Sequence, residues 1–116
     1  MMTKILIMRP EQPHETREVD LPRDPGYDAL KTLLTPLLDG AWLEHVSVLA
    51  DFTGGTDYRP ADMFVDEDGL GKHLLINGAA TDIYRRNALM RDTRLKPDDL
   101  PFIVGPAILF NRRVWF

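Results

Sequence analysis

The chain of 116 residues contains no cysteine and a single serine, Ser47. The first absence removes disulfides, thiolate nucleophiles and cysteine-based zinc or iron–sulfur sites, and makes a cytoplasmic setting the default expectation. The second leaves little room for serine chemistry. Ser47 sits between Val46 and Val48 with no nucleophile-elbow glycines around it, so a hydroxyl buried on a strand is the expected role. Long apolar runs are missing too. None approaches the ~20 residues that cross a bilayer, and no membrane contact is expected. Met1–Arg9 is too short for the core of a signal peptide, has no small-residue cleavage site after it, and reads as a first strand. Nor is there a basic excess. The formal net charge is −4, which weighs against nucleic-acid binding over the whole surface while leaving a local basic face open. The acids are dispersed (Asp20, Asp24, Asp28, Asp39, Asp51), adjacent only at Asp66-Glu67-Asp68 and Asp98-Asp99, without the dense tracts of a phosphate mimic.

What is present is ordinary for one globular domain covering residues 1–116: 44% apolar and 28% charged residues, enough for one buried core. Residues 4–8 form a near-continuous apolar run, the pattern of a strand buried on both faces. After the Arg9–Pro13 loop, Thr16–Leu21 alternates loosely up to Pro22 and predicts a partly exposed strand paired with the first. Asp24-Pro25 predicts a helix start, with Asp24 as N-cap. Tyr27, Leu30, Leu33, Leu34 and Leu37 follow as one apolar stripe. Pro36 predicts the end or re-start of that helix, with Gly40 as its C-terminal cap. Trp42–Ala50 reads as a third strand, Thr53–Pro60 as a flexible glycine-rich loop, and Met63–Val65 as a fourth strand. A short apolar run at Leu74–Ile76 leads into a helix over about Ala79–Met90, capped by Asn77. Phe102–Val104 and Ala107–Phe110 predict a last strand bent at Gly105-Pro106. These elements sum to a single α+β domain: a mixed or antiparallel sheet of about five or six strands with two helices packed on one face.

Motifs for familiar chemistry fail on spacing. A calcium loop with Gly69 at its sixth position would need ligands at Phe64 and Leu75. Gly69-Leu70-Gly71-Lys72 lacks the glycine spacing and the following Ser or Thr of a phosphate loop. His14, His45 and His73 stand alone, so no metal site is expected, and no cofactor either. Glu44 and His45 point to opposite faces of their strand. A basic group, Arg85, Arg86, Arg91, Arg94 and Lys96 with Arg112-Arg113, would suit phosphates if the last helix and the final strand shared one face. The alternative is a solvated surface paired with Asp82, Asp92, Asp98 and Asp99.

Two blocks carry a resemblance: Met63–Thr81, with the Asp68-Gly69 turn, Asn77 and Ala80-Thr81, and the segment Val104-Gly105-Pro106-Ala107-Ile108. They resemble a family of small phage and bacterial proteins known as a domain of unknown function. The acidic-Gly turn, the Asn-x-x-Ala-Thr helix start and the Val-Gly-x-Ala strand are its pattern, well covered in the C-terminal half and matched only in layout before it. The resemblance implies a small accessory protein of phages or mobile elements with no assigned catalytic residues. Read physically, Asn77 caps a helix, Ala80 permits close approach to a sheet, and Thr81 bonds back to the Asn77 backbone.

Three functions are expected in turn. The first is a non-enzymatic binding module for a host or phage protein, using exposed aromatics: Trp42, Phe52, Tyr58, Trp115 and Phe116. The second is nucleic-acid binding through Arg85, Arg86, Arg91, Arg112 and Arg113. The third is small-molecule binding or an unrecognised enzyme, with Asp51–Arg59, His73 and Asn77 converging on one cleft. Alternation predicts that the last strand frays after Phe110. Trp115 or Phe116 nonetheless docks, on this domain or across a homodimer.

Overall fold

A computed structural model describes residues 1–40, 42–68 and 71–116. Five strands form one sheet: β1 (Met2–Met8), β2 (Glu15–Asp20), β3 (Leu43–Ala50), β4 (Arg59–Asp66) and β5 (Ala107–Phe110). The order is β2-β1-β5-β4-β3 and every neighbouring pair is antiparallel. β1–β2 and β3–β4 are hairpin-like pairs, and β5 follows α2 back to lie between β4 and β1. Helices α1 (Gly26–Leu37) and α2 (Gly78–Arg91) complete an α+β fold. Among the described residues no helix is long and apolar enough to cross a membrane.

The side-chain period of two divides the sheet into two cores. Ile5, Ile7, Phe64, Ile108 and Phe110 join Leu30, Leu34 and Leu37 of α1. Met8, Val48, Met63, Val65, Ala107 and Leu109 join Ala80, with Ile83 and Tyr84 of α2 packed against them. The helices therefore lie on opposite faces, where the sequence suggested one. The reason is already in β1, β4 and β5: strands apolar at both phases must be covered from both sides. β4 is longer than the Met63–Val65 expected, beginning at Arg59. The bent last strand is shorter, because Val104 makes only an isolated bridge to Ile76 before Gly105 turns at φ +76°.

Helix α1 starts without the Asp24 cap. Pro25 is the N-cap, no side chain bonds to the first amides, and Gly26 enters the helix at φ +79°. Its other end runs one residue past Pro36 and closes on the expected Gly40, whose N–H reaches Thr35 O at 2.8 Å. The C-cap itself is Leu38, and the two residues after it, Asp39 and Gly40, are both left-handed, at φ +54° and +78°.

The two motif blocks form one brace. Asn77 caps α2, its Oδ1 accepting from Ala80 N at 3.2 Å, while its Nδ2 donates to Met8 O and Gly105 O at 3.0 and 2.8 Å. The hydroxyl of Thr81 does not return to Asn77. It accepts from Ile103 N–H at 2.9 Å and donates to Ile103 O at 3.2 Å. Gly105 is held at positive φ, where a Cβ would also run into the Leu74 side chain. Asp68, on the turn, accepts at its carbonyl from Lys72 N–H at 3.1 Å; Gly69 lies outside the described residues.

Candidate functional site

β3 and β4 place Ser47 opposite Asp62 and His45 opposite Phe64. His45 and Asp62 are thus diagonal neighbours on one sheet face, within side-chain reach. His45 Nε2 lies 2.7 Å from Asp62 Oδ1. Asp62 is fully buried, and its other oxygen accepts the backbone N–H groups of Val114 and Trp115, both at 2.8 Å. A buried carboxylate is tolerated only with such donors around it. One side chain therefore ties a histidine on the edge strand to the segment after β5.

That tie builds a wall of aromatic rings. The His45 ring stacks on Trp115 at a centroid distance of 5.5 Å and 24° between planes, and lies 5.4 Å from Phe64. Tyr27, at the start of α1, meets Trp115 edge-on at 6.1 Å. Between them opens a cleft of about 530 Å³ lined by Tyr27, Leu43, Glu44, His45, Phe64, Glu67 and Trp115. It falls within the roughly 300–1,000 Å³ of small-molecule sites. Beside it, a hollow of about 210 Å³ includes Tyr27, Lys31 and Trp42, and Lys31 Nζ stands 5.8 Å from both ring centroids.

The aromatic candidates divide accordingly. Trp115 lines the cleft, docked on its own domain. Trp42 and Phe116 are exposed beside it, at 71% and 67%. Tyr58 lies elsewhere, beneath the Arg86 guanidinium at 4.6 Å. Phe52 packs against the α2-side core.

The five arginines do not share a face. Arg85 stacks 4.3 Å over Phe102 and donates to Leu100 O, and Arg91 donates to Ser47 O, all on the α2 side. Arg112 belongs to the α1 side, where it donates to Thr3 Oγ1, Pro22 O and Arg23 O at 2.8–3.0 Å. Arg113 beside it is exposed. Both basic groups are largely spent on stacking and on backbone carbonyls.

Nor do the residues of the third expectation converge. Asp51, Phe52, Gly54 and Gly55 line a hollow of about 220 Å³ with His14 and Arg86. His73 is exposed elsewhere at φ +55°, and Asn77 is buried in the brace. Within the loop, Asp51 organises its own backbone: Oδ1 accepts from Thr53 Oγ1 and N, and Oδ2 from Asp57 N. The Thr53 hydroxyl first, and then these amides, hold the Asp51 carboxyl below the usual carboxylate range. Among the described residues no group of three or more His, Cys, Asp or Glu is arranged to hold a metal ion.

Asp62 and Asn87 are the polar residues that sequence reasoning missed. Asn87 Oδ1 accepts from Leu49 N–H at 3.1 Å and its Nδ2 donates to Ser47 O at 3.2 Å, which satisfies the open edge of β3. The signal for Asp62 was its phase: a carboxylate between Ala61 and Met63 on a strand buried at both phases. No family model, curated protein or solved structure matches this chain.

Proposed function

We propose that this protein is a non-enzymatic binding module whose recognition site is the cleft of Tyr27, His45, Phe64 and Trp115. The observation that carries the reading is the Asp62 clasp, which holds Trp115 against His45 before any ligand arrives. Preorganised aromatic walls lower the cost of ordering on binding, and such residues dominate recognition energy. A catalytic reading has less support: the described lining offers no Ser, Thr, Cys or Lys beside His45. Nucleic-acid binding has less as well, since Arg112 is committed to Pro22, Arg23 and Thr3. The resemblance to the phage and bacterial family adds a setting, an accessory protein meeting a host or phage partner, and no chemistry.

Selection from a random peptide library on the intact protein tests this. Selected peptides should bind the wild type and lose about tenfold or more on Tyr27→Ala, a substitution at a half-exposed position on the first turn of α1. Peptides that bind both proteins equally, or a selection with no enrichment, would overturn the reading.

A further inference from the structure

We infer that the cleft receives the cationic side chain of a partner protein, a lysine or an arginine. This rests on the binding-module reading and names what such a module would recognise. The walls are the faces and edges of Tyr27, Phe64 and Trp115, and aromatic faces attract an ammonium or guanidinium within about 6 Å of the ring centroid. The lining includes two exposed acids, Glu44 and Glu67, and neither forms an ion pair among the described residues. Glu44 alternates with His45 and stands opposite Val65, on the other face of β3, so the charge at the cleft is that of Glu67. No lysine or arginine lines it among those residues.

The chain shows the same chemistry next door. Lys31 places its ammonium 5.8 Å from the rings of both Tyr27 and Trp42, in the smaller hollow on the other side of Tyr27. The larger cleft has an aromatic wall of the same kind and adds Glu67, with no lysine or arginine in its lining among the described residues. The net charge of −4 adds a long-range term that favours a basic partner and speeds its encounter. An anionic occupant would meet the like charge of Glu67.

The test is a titration of isotope-labelled protein with four short blocked peptides that differ at one central residue: lysine, arginine, norleucine or glutamate. The readout is the indole N–H resonance of Trp115, with that of Trp42 reporting the neighbouring hollow. Lysine and arginine peptides should move the Trp115 resonance saturably and bind about fivefold more tightly than the norleucine peptide at low salt. The preference should shrink at about 0.5 M salt. It should also fall in the Glu67→Gln variant, with circular dichroism unchanged. Equal binding of norleucine would overturn the cationic ligand while leaving the binding module standing. Movement centred on Trp42, or none with any peptide, would overturn the inference too, and the library selection would then judge the module by itself.

Discussion

Asp62 and Trp115 are 53 positions apart, yet the carboxylate of one accepts the backbone N–H of the other at 2.8 Å. The same oxygen accepts Val114 N–H and the second oxygen faces His45, so one buried acid joins strand β4, edge strand β3 and the segment after β5. Removing it strands one buried and one part-buried donor. Asp62→Ala should destabilise the fold by about 2–4 kcal/mol, measured by urea unfolding, and shift tryptophan emission to the red as Trp115 is released. Asp62→Asn keeps one acceptor oxygen and should lose less. Unchanged stability and emission in Asp62→Ala would show that the clasp contributes nothing.

Asn77 offers a sharper comparison. Its amide accepts one backbone N–H and donates to two backbone carbonyls, those of Met8 and Gly105. Asn77→Ala loses the cap and orphans the carbonyls, at about 2–3 kcal/mol. Asn77→Asp keeps the cap but sets a carboxylate oxygen against those carbonyls, and should cost at least as much near neutral pH. If Asn77→Asp is as stable as wild type, the cap alone explains the residue and the brace to Gly105 is incidental.

How much of this could be read from the sequence depends on the range of the interaction. The Asn77 cap and the Gly40 stop rest on neighbours a few residues away, and local turn chemistry identified them. The Asp24 cap failed because the backbone at Pro25-Gly26 takes the chain into α1 by another route. The two-sided burial of β1 was legible in Lys4–Met8, and it implied cover on both faces. Placing both helices on one face missed that consequence. The candidate site was not legible. His45 and Asp62 meet only once β3 and β4 are in register, and Trp115 arrives only because Asp62 draws in the segment after β5. Even the motif residues misled in part: Thr81 looked like a local cap, but its partner, Ile103, is 22 residues away.

The Asp51 loop has a pH dependence of known sign. Hydrogen bonds from Thr53, and then from Asp57, depress the folded-state pKa of Asp51. A depressed carboxyl contributes stability that is present above its unfolded value, near 4, and is lost as pH falls through the lower folded value. Residues 51–58 should therefore loosen in acid before the sheet does. Carboxyl resonances followed from pH ~6 to ~2 should show Asp51 titrating below an ordinary aspartate. Thr53→Ala should raise its pKa toward that ordinary range, and no change on that substitution would remove the Thr53 hydroxyl as the leading cause.

The segment after β5 gives the last test, because its three final residues play different parts. Val114 is fully buried in the α1-side core, Trp115 packs against that core and lines the cleft, and Phe116 is 67% exposed. Removing Phe116 alone should leave stability within about 0.5 kcal/mol of wild type, as for an exposed surface residue. Truncation after Arg113 removes the buried Val114 and half-buried Trp115 side chains along with the exposed Phe116, and with them the two amides that Asp62 binds. It should cost about 3–5 kcal/mol, from apolar burial of roughly 1.5–3 kcal/mol for a fully buried side chain and the lost hydrogen bonds. Because Trp115 docks on its own domain, sedimentation should show the same mass before and after truncation. A fall in mass would mean that the rings also bridge two copies. Equal stability of the full and truncated chains would mean that the aromatic wall forms without holding the fold together, and the cleft would then lose its claim to be preorganised.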